Sequence, residues 1–228
     1  MDLTYAAAIP QQEFFERRAK LATQMQDNSA LVLFSATEKI RNNDCCYPFR
    51  QDSYFWYLTG FNEPDSALLL LKTHNELQTI IFLRPSDPLM ETWNGRRLGV
   101  VAAPNKLLLD QAYSIDDFKT EFAKTTKNLT ALYYAPDHQL WGQSLLTENL
   151  NDIKQVFDWR PLLDEMRLFK SAAEIALMQQ AGQISALAHI RAMKQMRPNR
   201  LEYEIESEIL HEFNRFGARF PAYNTIVA

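Results

Sequence analysis

The chain is 228 residues long, with 24 Lys and Arg against 28 Asp and Glu for a net charge of −4, and 46% of its residues are apolar. At roughly 100 to 200 residues per domain this allows one large domain or two modest ones, and the balance of charged and apolar residues excludes disorder as the main state. An acidic chain has no electrostatic reason to coat nucleic acid or an anionic membrane surface, and the longest apolar runs, such as Ala67–Leu71, fall far short of the roughly 20 residues that cross a bilayer.

Met1–Tyr5 carries no basic segment followed by an apolar stretch, so no secretory signal is expected and the cytoplasm is the expected compartment. Gln12–Met25 places Phe14, Arg18, Leu21 and Met25 at helical spacing, which predicts a helix covering a sheet. Ala30–Phe34 is an apolar run of strand length, and Ala67–Leu71 with Thr79–Leu83 repeats it across His74-Asn75, so these are expected to be buried neighbouring strands. Cys45 and Cys46 are the only cysteines. Neighbours in sequence make a strained disulfide, so reduced thiols are expected, and two cysteines are too few for a zinc site. Tyr54–Leu58 is dense in aromatics and predicts another strand, followed by turns at Gly60 and at Glu63-Pro64-Asp65. Helical patches at Lys106–Ala112 and Ile115–Thr125 precede a strand at Leu129–Tyr134. Alternation of strands and helices argues for an α/β layered domain.

After Trp159-Arg160-Pro161 helix formers dominate, and a domain boundary is expected there, dividing the chain into residues 1–158 and 159–228. Ser171-Ala-Ala-Glu174 is a capping box that opens a helix to about Met196, with Ile175, Met178, Gly182, Ser185 and His189 on one face. A second helix carries Glu202, Glu204, Glu206 and Glu208, expected as a solvated face matched to the helix dipole, and Ile205, Ile209, Phe213 and Phe216 as its buried stripe, with Gly217 as the cap. Tyr223–Ala228 then opens a β-strand.

Several patterns could carry chemistry. The six glycines form neither GxGxxG nor GxxxxGK[ST], so a phosphate-cradling loop is not supported. His211-Glu212 imitates the start of HExxH, but position 215 is Arg and the second zinc ligand is missing. His189 follows Ser185 by four residues, and a hydrogen-bonded structural histidine is favoured over a dyad. Tyr47–Ser53 either shapes a recognition loop or seats the strand expected after it. Trp93, beside Arg96 and Arg97, either binds a carboxylate or aromatic ligand or packs on an arginine stem.

Six blocks taken in order resemble one family. Tyr47-Pro-Phe-Arg-Gln-Asp-Ser53, Phe55–Asp65, Trp93-Asn-Gly-Arg-Arg-Leu-Gly99, Asp158-Trp-Arg-Pro161, Glu165-Met-Arg-Leu-Phe-Lys170 and His211–Arg219 with Tyr223–Val227 are similar to bacterial Xaa-Pro aminopeptidase (aminopeptidase P). The resemblance implies a cytosolic exopeptidase that removes the first residue of a peptide whose second residue is proline. It implies an amino-terminal α/β domain of creatinase type, with a mixed sheet and flanking helices, and then a pita-bread catalytic domain that the 228 residues leave incomplete. It implies two divalent ions, usually manganese, held by two aspartates, one histidine and two glutamates and sharing a hydroxide that attacks the scissile carbonyl. Beyond Glu212 there is no carboxylate and beyond His211 no histidine. None of the five ligands can therefore be assigned, no metal is expected on this chain, and the chain alone is expected to be inactive.

Xaa-Pro peptides are the implied partners, and a homo-oligomer is expected, since the family's amino-terminal domain supports assembly and walls the substrate cleft. An edge at Thr225–Ala228 and the apolar stripe containing Phe213 and Phe216 would promote the same self-association. Trp93 and Asp44 are the candidates for the wall by motif position, Asp44 to meet a peptide ammonium, and Tyr223 is a third lining residue. A non-catalytic peptide- or protein-binding module of the same architecture is the competing reading.

Overall fold

Six strands with apolar side chains on both faces organise the larger of two units in this computed structural model, which describes residues 8–74, 76–146 and 153–227. That unit is Pro10–Leu168, and the other contains Phe169–Ala228. In chain order the larger unit holds α1 (Gln11–Gln24), β1 (Ser29–Phe34), β2 (Ile40–Asn42), β3 (Cys45–Cys46), α2 (Ser53–Thr59), β4 (Ala67–Thr73) and β5 (Glu76–Leu83). There follow α3 (Pro88–Asn94), α4 (Gly99–Leu107), β6 (Gln111–Ser114), α5 (Phe118–Thr126), β7 (Ala131–Tyr133), α6 (Gln143–Leu146), β8 (Gln155–Phe157) and α7 (Arg160–Leu168).

The main sheet runs β6-β5-β4-β1-β7-β8. It is mixed, because β4 is antiparallel to β1 and β5 while the β5–β6, β1–β7 and β7–β8 pairs are parallel. Leu31 pairs with Leu70 and Leu33 with Leu68, and successive residues face opposite sides of the pleat. Leu31, Leu33, Leu68, Leu70, Ile81 and Leu83 accordingly pack under α1, α2, α4 and α7, against Leu21, Phe55, Leu58, Leu107 and Leu163. Val32, Phe34, Leu69, Ile80 and Phe82 pack on the other face against Phe118 and Phe122 of α5. Burial on both faces is why these strands read as unbroken apolar runs. The expected α/β architecture, a mixed sheet with flanking helices, is what forms. Asn75 of the expected turn lies outside the described residues, while His74 sits at φ 50.

Two local expectations are overturned here. Tyr54–Leu58 belongs to helix α2, not to a strand. The Asp52 carboxylate accepts the N–H groups of Tyr54 and Phe55, both at 2.9 Å, and Gly60 at φ 63 ends the helix in the left-handed conformation. These two caps, with Phe55 and Leu58 buried, override the strand preference of aromatics. Lys106–Ala112 is likewise not a helix, since α4 ends at Leu107, Leu108 turns at φ 50, and β6 begins at Gln111.

In the second unit, α8 (Ala172–Gln195) and α9 (Glu202–Arg215) form the regular structure. The capping box is present: Glu174 N–H donates to Ser171 Oγ at 3.1 Å and Ser171 N–H to Glu174 Oε2 at 2.8 Å. The buried positions of α8 are Ile184, Ala188 and Ala192, one face removed from the expected row, of which Ile175 and Met178 are exposed. On α9, Ile205 is buried and Ile209, Phe213 and Phe216 are half-buried. The glutamates are not simply solvated: Glu204 pairs with Arg200 at 2.8 Å, and Glu208 with Arg191 at 2.7 Å and Arg200 at 3.7 Å. Gly217, at φ 79, closes the helix, donating its N–H to Asn214 O at 3.0 Å. Residues 223–227 form no strand, because neither sheet of the described residues offers them a ladder partner. Ala228 lies outside the described residues.

Candidate functional site

The loop before α2 is built around one amide. Buried Gln51 accepts the N–H groups of Ala36 (2.9 Å) and Asp52 (2.8 Å) on Oε1 and donates Nε2 to Phe61 O (3.2 Å) and Glu63 O (2.8 Å). Four bonds from one side chain pin both ends of α2 to the end of β1. Of the two readings of Tyr47–Ser53, the structure supports seating, and it seats a helix.

Asp52 then turns outward to the loop that follows β7. Its Oδ2 lies 2.9 Å from His138 Nε2 and 3.5 Å from Gln139 Nε2. Burial pushes the Asp52 carboxyl up, but the bonds from His138 and the Phe55 N–H outweigh it and hold the group below the usual carboxylate range. The His138 ring packs edge-on against Trp159 at 5.0 Å and Tyr54 at 5.6 Å. Tyr54 donates its hydroxyl to Asp164 at 2.7 Å, and Arg167 lies 4.6 Å over its ring. Arg160 bridges Asp158 (2.6 Å) and Asp137 (2.9 Å). This cluster fixes α2, the loop after β7 and α7 to one another. Sequence reasoning missed it, although Asp52-Ser53 before an apolar run is an N-cap signal.

Trp93 stands on the short helix α3. Asp87 caps that helix, accepting Leu89 N–H (3.0 Å) and Met90 N–H (3.2 Å), and Pro88 occupies its first turn. Glu91 accepts the Ser86 hydroxyl at 2.6 Å and the Asp87 N–H at 3.1 Å. Those bonds, the Ser86 one foremost, lower its carboxyl pKa. On the far side Arg97 donates to Pro85 O at 3.1 Å and Leu98 N–H to Glu63 at 2.7 Å. The segment is thus anchored at both ends while Trp93 is 82% exposed, with Leu89 beside it also exposed. Packing on an arginine stem is not what the indole does. Asp44 lies in the exposed turn between β2 and β3, after Asn43 at φ 47 and before the exposed Cys45 and Cys46. Among the described residues no hydrogen bond, ion pair or ring contact links Asp44 with Trp93.

In the second unit Tyr223 is 76% exposed. His189 Nδ1 lies 2.8 Å from Ser185 O, the backbone oxygen and not the hydroxyl, and the ring is exposed. Glu212 is only 7% exposed and sits 3.6 Å from Arg191 and 3.9 Å from Arg215, so its carboxylate is occupied by guanidinium groups. Among the described residues, no three His, Cys, Asp or Glu side chains converge to hold a metal ion. The donors present here do not fit a divalent centre.

Residues 14–133 match the family "Aminopeptidase P, N-terminal domain", and residues 176–228 match "Metallopeptidase family M24". The chain is 64% identical over 228 residues to the Xaa-Pro aminopeptidase of Haemophilus influenzae, covering 100% of this chain and 53% of that protein. It is 44% identical over 233 residues to the Xaa-Pro aminopeptidase of Escherichia coli, covering 96% and 52%. The solved structure of zinc-substituted E. coli aminopeptidase P in complex with product superposes with a TM-score of 0.93 at 43% identity, again over 96% of this chain and 52% of the other. The chain spans about half the length of the curated relatives it matches.

Proposed function

We infer the function from one premise: this chain belongs to the aminopeptidase P family. On that premise it forms part of a metal-dependent exopeptidase that releases the amino-terminal residue from peptides with proline in second position. The observation that carries the reading is the 64% identity to an Xaa-Pro aminopeptidase sustained over all 228 residues, too long a match to reflect a shared fold alone. Residues 1–158 supply the amino-terminal domain and residues 159–228 the opening of the metallopeptidase domain. Membership of the M24 family implies a metal, and we assign a pair of manganese ions to the whole enzyme. The described residues do not gather the donors for them.

The 228 residues alone therefore lack hydrolytic activity. We assign three of them a part in walling the cleft of the whole enzyme: Trp93 and Tyr223 would each contribute aromatic surface, and Asp44 a carboxylate to meet a peptide ammonium. The enzyme works in the cytoplasm as a homo-oligomer, and the exposed Leu89, Trp93 and Val101 support that assembly.

The test is a chimera in which this chain replaces the matching half of the E. coli enzyme. Manganese-dependent release of the first residue from an Xaa-Pro peptide is the expected result, and a folded, metal-loaded chimera without activity overturns the reading. Trp93→Ala or Asp44→Ala in the chimera should raise KM about tenfold, the loss of one aromatic or charge-assisted contact. Release by the 228-residue chain itself would overturn its proposed inactivity.

A further inference from the structure

The β2–β3 hairpin carries both cysteines of the chain, Cys45 and Cys46, as free thiols. Every residue from 38 to 48 is exposed, so nothing shields either sulfur. The hairpin fixes how the two are disposed. Ile40 pairs with Cys46 and Asn42 with Cys45, with the register shifting at Arg41, and Tyr47 N–H donates to Lys39 O at 2.9 Å. Successive residues of a strand project to opposite faces, so the two thiols diverge. Their Cα atoms are separated by one peptide, about 3.8 Å, below the roughly 4.4 to 6.8 Å that an unstrained disulfide spans. Closing a ring between them requires the pairing with Ile40 and Asn42 to break.

That divergence decides what an oxidising partner leaves behind. Where two thiols can meet, a mixed disulfide on the first is displaced by the second, and the adduct is lost. Here Cys46 cannot reach an adduct on Cys45, nor the reverse, so an adduct on either sulfur persists. The surroundings also select the partner. In a chain of net charge −4, residues 39–50 carry Lys39, Arg41 and Arg50 against one acid, Asp44. Lys39 and Arg41 flank Ile40, the residue opposite Cys46, and both are exposed. Local positive charge draws an anionic reagent.

We propose that Cys45 and Cys46 are two independent sites of reversible thiolation by an anionic low-molecular-weight disulfide. In each reaction the cysteine thiolate attacks one sulfur of the disulfide and the S–S bond of the reagent breaks. Its other half leaves as a thiolate, which takes up the proton that the cysteine released. The cysteine sulfur is oxidised, the leaving sulfur is reduced, and a thiol in excess reverses the exchange. These residues belong to the larger unit alone, and the reaction is separate from peptide cleavage.

Glutathione disulfide is the probe. The folded 228-residue chain is incubated with it at about pH 8, where a thiolate fraction is available, and followed by intact mass and peptide mapping. Two adducts per chain, on Cys45 and Cys46, are expected, both removed by dithiothreitol. Cys45→Ser and Cys46→Ser should each take one. Raising the salt from about 0.05 M to about 1 M should slow the reaction about threefold by screening, as should the Lys39→Gln/Arg41→Gln pair at low salt. The uncharged bis(2-hydroxyethyl) disulfide should respond to neither change. A chain that loses two hydrogens and keeps no adduct has closed the vicinal ring, which overturns the proposal. Failure of either cysteine to react overturns it too, as does a glutathione disulfide rate as indifferent to salt and to the double variant as that of the uncharged reagent.

Discussion

Arg18 is fully buried on α1, and its replacement by methionine probes how the helix layer is held together. The guanidinium donates to Leu58 O at 2.7 Å, Leu107 O at 3.0 Å and Leu108 O at 2.6 Å. These carbonyls belong to the last turns of α2 and α4, where helices leave acceptors without intrahelical partners. One side chain therefore caps two helices from a third. Methionine fills much of the volume but offers no donor. Leu107 O would keep Gln11 Nε2 at 3.2 Å, while Leu58 O and Leu108 O would lose the donor that Arg18 supplies.

Opposing this loss is relief from burying a charge: desolvation pushes the Arg18 pKa down to about 10, against a smaller upward pull from Asp110. Removing one partner of a buried charged network usually costs about 3 kcal/mol or more, which is a large part of a typical domain's total stability. At an m-value of about 2 kcal/mol/M, urea unfolding at pH 7 should show the midpoint falling by about 1.5 M. Arg18→Lys keeps the charge but not the fork, and should recover less than half of the loss. A midpoint change below about 0.3 M for Arg18→Met would refute the capping argument.

Four further substitutions probe other contacts of the larger unit. A Cβ added at Gly142 runs into the Phe34 ring, so Gly142→Ala should lower stability by about 2 kcal/mol in thermal melts. At Gly60, φ is +63 and a Cβ would lie 2.5 Å from Phe14 Cε2, so Gly60→Ala should lose about 2 kcal/mol by the same measurement. Asp52→Ala should cost about 1 kcal/mol as a lost N-cap. Because the folded Asp52 carboxyl is held below the usual range, its contribution is complete above about pH 4 and is lost as pH falls through the lowered value. Asp52→Asn should therefore show a shallower acid limb than the parent when stability is measured from pH 7 downward.

The strands were legible because their information is local. Ala30–Phe34, Ala67–Leu71 and Ile80–Leu83 are apolar at every position and belong to strands buried on both faces. The capping box at Ser171 was equally legible, since both partners lie within one turn. Expectations failed where intrinsic preference and context disagreed. Pro104 weakens a helix interior, yet α4 contains it and buries Ala103 and Leu107. The aromatic run 54–58 favours strands by propensity, but its caps at Asp52 and Gly60 decided otherwise.

The sites were less legible than the fold for a different reason. Trp93 could be singled out beside its arginines but its exposure could not, because exposure is decided by what the surrounding chain does not cover. The Asp52–His138 pair joins positions 86 residues apart, and the Trp141–Ser35 bond spans 106. No periodicity or short motif encodes such distances. They become predictable only once the parallel pairing of β1 with β7 is known, since that pairing brings Ser35 and the loop after Tyr133 to the same end of the sheet. Strand order is thus the step between sequence and chemistry in this protein. A substitution that altered the β1–β7 register by two residues would preserve every apolar face and still dismantle both the Asp52–His138 cluster and the Trp141–Ser35 bond.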